Sequence, residues 1–163
     1  MSAMMFETLH PVQAFVPIDT TGAGQDGDWV HFHNYRQCMI ILSQGAWAAG
    51  TSAVTVEQAK DNSDSGSVAK ALPIEFMYRG TALTDDTYAK TAITSNTFLL
   101  PNTANTITFL VVKAGDLDQM NGFTHIRVRT ATPGASADLL SGLYIFGDPA
   151  IAAPAENLAS AIT

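Results

Sequence analysis

TGAGQDGDWVHFHNYRQCMIIL, Thr21–Leu42, is the stretch that decides the fold class. It begins as a Gly/Asp loop and passes into alternation. Trp29, His31, His33 and Tyr35 alternate with Val30, Phe32 and Asn34, the period of two expected of a strand. A turn follows, then the apolar run Cys38–Leu42. The same period recurs outward from this point. Candidate strands are Asp28–His33, Gln37–Ser43, Ser52–Gln58, Pro73–Gly80, Asn96–Leu100, Thr106–Lys113, Gly122–Thr130 and Ser141–Phe146. In Pro73–Gly80, Ile74, Phe76 and Tyr78 share one face, and Glu75, Met77 and Arg79 the other. In Gly122–Thr130, Thr124, Ile126 and Val128 oppose His125, Arg127 and Arg129. Each strand therefore has a core side and a side for solvent or a partner.

Polar or small segments separate the strands, and only Asp116–Asn121 and Ala135–Leu140 read as helical turns. About eight short strands at this spacing predict an all-β fold, a two-sheet antiparallel β-sandwich of jelly-roll type. The expected organisation is an N-terminal arm or edge strand over 1–17, a sandwich domain over 18–150 and a tail over 151–163. Met1–Pro17 holds Met4, Met5, Phe6, Leu9, Phe15 and Val16 without a clear period. It reads as an edge strand of its own sheet or as an arm packing on a neighbouring subunit.

At 163 residues the chain suits one domain with a real core. Only 14 % of residues are charged, against about 25 % in ordinary globular chains. The resulting surface of Thr, Ser, Asn, Gln and Ala is easily covered by a partner, because few ions must be desolvated. The formal net charge is -7. The eight basic residues are scattered, with only Arg127 and Arg129 close together. Without a basic patch, direct nucleic-acid binding is not expected. The lone Cys38 lies in an apolar run and reads as a buried, unreactive thiol, in keeping with folding in a reducing cytoplasm. The first residues lack the basic and apolar regions of a signal peptide. No run of 18 apolar residues suits a membrane span.

His31 and His33 are the sharpest chemical candidate. At i and i+2 on a strand they point to one face and could share a metal, as in a cupin's His-x-His strand. The cupin pattern then needs a Glu, whereas Asn34, Tyr35, Arg36 and Gln37 follow. His125 is a conceivable third ligand, but no spacing places it nearby. We read the pair as two imidazoles on a polar strand face, and expect no metal or other cofactor. Asp61, Ser63, Ser65 and Gly66 match the start of a calcium loop, but the position requiring a bidentate Glu is Leu72. Asp116 or Asp118 could cap a short helix. There is no Gly-x-Ser-x-Gly elbow, and Glu57 and Glu75 read as outward strand residues. TGAGQDG lacks the Lys-Ser/Thr ending of a phosphate loop. The expectation is a protein that is not an enzyme. Trp47, in QGAWAAG, has only small neighbours and is the single residue favoured as a contact with another chain. Met4, Met5, Phe6 and Phe15 join it as candidate interface residues.

Three blocks carry a resemblance: FVPIDTTGAGQDGDWVHFHNY, TVEQAKDNSDSGSVAKAL and FLVVKAGDLDQMNGFTHIRVRTATPGASADLLSGLYIFGDPA. In their order of strands and turns they resemble small all-β virion proteins of tailed bacteriophages. The resemblance spans most of the chain and contains no catalytic signature. It implies a decoration or cement protein on the outside of the capsid. Its implied partners are the major capsid protein and copies of itself in a homotrimer. Where the family carries a basic residue after Asp-Pro, this chain has Ala150 and Ile151 after Asp148-Pro149. Two other readings compete: a tail, neck or baseplate protein, and a cupin-like metal enzyme built on His31 and His33.

Overall fold

The computed structural model describes residues 8–62, 69–81, 84–134 and 136–151. Twelve strands are present among them: β1 (Leu9–Asp19), β2 (Gln25–Asp26), β3 (Val30–His31), β4 (Tyr35–Trp47), β5 (Ser52–Ala59), β6 (Lys70–Ala71), β7 (Phe76–Thr81), β8 (Ala89–Ala92), β9 (Thr97–Leu100), β10 (Thr106–Lys113), β11 (His125–Thr130) and β12 (Asp138–Pro149). All pairings are antiparallel. The first sheet has the order β1-β12-β4-β10-β7-β8. In the second, β11 pairs β2, β3 and β5, and β5 also pairs β6 and β9.

This connectivity is a jelly roll with one hairpin added. The chain pairs its beginning with its end: β1 with β12, β2 and β3 with β11, β4 with β10, and β5 with β9. Successive pairs fall in opposite sheets, so these strands form one long antiparallel ribbon wrapped into a sandwich. The β7–β8 hairpin extends the first sheet beyond β10.

The sandwich agrees with the sequence reading, but twelve strands replace about eight. The additional strands have identifiable physical features. In β1 the alternation is interrupted by register shifts between Gln13 and Phe15 and between Phe15 and Ile18, which erase the period of two. Strands β2 and β6 are two residues long, and every residue of β8 is exposed. The helical turn read over Ala135–Leu140 is incorrect where the chain is described, because Asp138–Leu140 open β12. Asp138 is drawn inward: its carboxylate accepts from the Ala48 N–H at 2.6 Å, and its own N–H donates to Asp19 at 3.1 Å. The turns near Asp116–Asn121 are two short 3-10 helices, Ala114–Asp116 and Gln119–Asn121. Asp116 accepts from the Lys113 N–H at 2.8 Å and closes the first.

The core lies between the sheets. Val12, Ile40, Leu42, Leu110, Val112, Tyr144 and Phe146 from the first sheet meet Val30, Val54, Val56, Phe98, Leu100, Ile126 and Val128 from the second. Cys38 is buried among them, and burial raises its thiol pKa well above the ordinary value. Tyr144 is fully buried and joins the sheets. Its hydroxyl accepts from the Val128 N–H at 2.8 Å and donates to the Asp28 carbonyl at 3.2 Å. This is where the strand pairing on one side of β11 is interrupted: β2 ends at Asp26 and β3 begins at Val30, the Gly27 N–H still donates to the Val128 carbonyl at 2.8 Å, and the hydroxyl takes the Val128 N–H. Gly27 is small for the same reason, since a Cβ there would stand 2.7 Å from that hydroxyl.

Tyr144→Phe leaves the Val128 N–H buried without this partner, so we expect a loss of about 1–3 kcal/mol in unfolding free energy. Urea unfolding followed by fluorescence measures it. An unchanged midpoint would mean that the bridge contributes nothing.

Candidate functional site

The outward faces of the two sheets differ sharply. On the first, the register lines up rows of side chains across neighbouring strands. Leu143, Ile41, Phe109 and Tyr78 form one row, which ends on Gln13 of β1 and Lys90 of β8. Pro11, Ile145, Met39 and Val111 form the next. Ser141, Ser43 and Ile107 flank the first row, and Gly147, Gln37 and Lys113 flank the second. Across β12, β4 and β10 these four rows contain one charge, Lys113, and no carboxylate. Tyr78 stacks on Phe109 with centroids 5.1 Å apart, and Tyr88 meets Phe109 edge-on at 4.9 Å. Val111 is 41 % exposed, and Phe76 and Tyr88 are exposed as well. An open depression of about 560 Å³ borders this face, lined by Phe76, Tyr78, Val111 and Lys113 and, at its edge, by Pro73, Ile74, Glu75 and Asp116.

The second sheet presents charge. Arg127 opposes Glu57 across strands, and Arg129 opposes Asp26. The Arg127 Nε donates to Glu57 at 2.8 Å, and the Arg129 Nε donates to Asp26 at 3.0 Å. Arg129 also lies 3.7 Å from Glu57 and Arg127 4.0 Å from Asp26, so the four charges form one network. The Trp29 ring covers the Arg127 guanidinium at 4.5 Å. Cross-strand pairs of opposite charge stabilise a sheet, and this set fastens the two-residue β2 to β11. The arginine pair visible in the sequence is thus neutralised by carboxylates.

His125 lies directly opposite His31 in the β3–β11 register, with ring centroids 4.5 Å apart. His33 stacks on His31 at 5.4 Å. The fold thus brings together three imidazoles of which the sequence placed two. The His31 Nδ1 accepts from the His33 backbone N–H at 3.1 Å, so a neutral His31 ring carries its proton on Nε2. Among the described residues no group of three or more His, Cys, Asp or Glu side chains is arranged to hold a metal ion. Burial lowers the pKa of His31, with a smaller contribution from His33. Burial also lowers that of His125, with His31 adding to the effect while Asp61 opposes it.

Among the candidate interface residues, Trp47 is 8 % exposed and belongs to the core cluster. Its indole N–H donates to the Gly50 carbonyl at 3.0 Å, turning the ring back under the loop. Gly50 has φ +87°, and a Cβ there would lie 2.1 Å from the Pro133 carbonyl oxygen, so the turn requires glycine. Phe15 is half-buried and lies against Gly142 of β12. Met4, Met5 and Phe6 lie outside the described residues. Of the calcium-loop residues, Asp61 is described, whereas Ser63, Ser65 and Gly66 are not. Asp118 pairs with Lys70 and with Asn121, and these contacts lower its pKa. The apolar rows on the first sheet were not selected from the sequence. Their signal was present in the consecutive apolar positions of Cys38–Leu42 and Phe109–Val112, the pattern of strands covered on both faces.

No protein-family model matches the chain, and no curated protein matches it. Among solved structures, the crystal structure of the SPBc2 prophage-derived protein YomS is similar with a TM-score of 0.48 and 7 % identity, over 86 % of this chain and 93 % of that one.

The histidines set a pH dependence. In the unfolded chain they take up protons near the ordinary value of 6.5, whereas folded His31 and His125 resist protonation to a lower pH. Their contribution to stability is therefore complete above pH 6.5 and declines as pH falls through that value, before carboxylates titrate. Thermal unfolding at a series of pH values should show this decline. His125→Gln should flatten it, and an unchanged slope in that variant would contradict the assignment.

Proposed function

We propose that this chain is a structural protein of a tailed-phage particle. In this reading it decorates or cements the outside of the head, where it binds the major capsid protein lattice as a homotrimer. The observation that carries the reading is the nature of the surface left available after folding. It is a broad, nearly uncharged sheet face, suited to contact with another protein chain. The charged clusters have structural work: Arg127, Arg129, Asp26 and Glu57 hold strands together, and Lys70 with Asp118 fixes a turn. The block resemblance in the sequence supplies the particle.

A cement protein needs rigid sheets, uncharged contact surface and several binding sites in one assembly. Once one copy of a trimer is bound, the others bind the lattice at high effective concentration, so weak individual contacts suffice. The acidic net charge of -7 suits a surface turned away from packaged nucleic acid.

Quantitative mass spectrometry of purified particles tests the proposal. The expected result is this chain in stoichiometric proportion to the major capsid protein. Absence from the particle overturns the reading, and a few copies confined to the tail or neck overturns the head assignment.

A further inference from the structure

We propose that the outer face of the first sheet is the surface through which copies of this chain associate. The inference extends the self-association in the reading above, but it needs no particle and can fail separately.

The strand pattern leaves this face apolar. Cys38–Leu42, Phe109–Val112 and Leu143–Phe146 are apolar at consecutive positions and lie on the adjacent strands β4, β10 and β12. Alternate residues of each run enter the core, including Ile40, Leu110 and Tyr144. The intervening Met39, Ile41, Phe109, Val111, Leu143 and Ile145 point outward. An antiparallel sheet with one face in water ordinarily carries polar residues there. Here the hydrophobic content fits a sheet covered on both sides.

Charge also favours this face. Two copies of a chain of net charge -7 repel wherever their carboxylates approach. The four rows across β12, β4 and β10 carry no carboxylate and one lysine, at the end of β10. The second sheet's outer face instead carries both arginines and their acidic partners. A surface without carboxylates lets two acidic copies meet with little repulsion and so suits another copy of itself.

The area of the face suits a contact between copies. The strands from β1 to β7 lie about 4.8 Å apart and the rows about 6.8 Å apart, a footprint of about 24 by 27 Å, or about 650 Å². A standard stable interface takes about 800 Å² from each partner. The face supplies most of that, and the neighbouring Tyr88 extends it.

Analytical ultracentrifugation of the full chain is the test. Wild type should sediment as an oligomer. Val111→Glu should weaken association at least tenfold and sediment as monomer, with the circular dichroism spectrum and cooperative melting of the wild type. Leu99→Glu, at a 55 % exposed position on β9 of the other sheet, should leave the oligomer intact. If Val111→Glu does not fold, Met39→Gln on the same face replaces it and should still weaken association. A monomeric wild type overturns this inference and leaves binding to a capsid lattice open. So does an oligomer unaffected by either face variant. An oligomer that these variants dissociate supports the inference even if the chain is missing from particles, a result that overturns only the virion reading.

Discussion

Three adjacent strands that are apolar on both sides constrain the rest of this structure. β4, β10 and β12 form the middle of the first sheet. Their inward residues Ile40, Leu42, Leu110, Val112, Tyr144 and Phe146 supply much of the core. Burying them requires a second sheet, and the jelly-roll ribbon delivers one by folding each pair of strands over the last. Tyr144 locks the two layers by completing the ladder of β11 where β2 gives way to β3. The same strands leave Met39, Ile41, Phe109, Val111, Leu143 and Ile145 on the far side, so the face we propose for association follows from the strands that build the core.

Polar chemistry on the second sheet mostly serves to hold short elements in place. β2 has only two residues, too few for a ladder to hold, and Arg127, Arg129, Asp26 and Glu57 reinforce it. Trp29 shields the Arg127 guanidinium, which strengthens these charge pairs by excluding water. The histidine group follows from register. β3 lies against β11 so that His31 faces His125. Burial makes protonation of both rings less favourable, and His31 adds to the effect at His125.

Much of the sandwich was legible in the sequence, because β4, β5, β9, β10, β11 and β12 carry regular alternation or unbroken apolar runs. What was hidden depends on tertiary structure. Irregular register in β1 broke its period at Gln13, Phe15 and Ile18. Asp138 looked like part of a polar turn, but the N–H of Ala48 draws its carboxylate into the interior. The approach of His125 to His31 depends on the pairing of strands far apart in sequence, which no local spacing encodes. Trp47 stood out among small neighbours, yet those neighbours allow the loop to fold back and bury it. The apolar face was visible in principle, since Cys38–Leu42 lacks the polar alternate positions of a half-exposed strand.

Methionine reactivity gives the most direct test that this face is covered by another chain. Met39 lies in the middle of it, while Met120, on a 3-10 turn, is 100 % exposed and serves as the internal standard. Peroxide converts accessible methionine to sulfoxide, and peptide mass spectrometry reads the rate at each site. Met39 should be protected at high protein concentration and react faster on dilution, while Met120 reacts equally in both. A Met39 rate that does not depend on concentration, at concentrations where the wild type is expected to associate, would contradict association through this face.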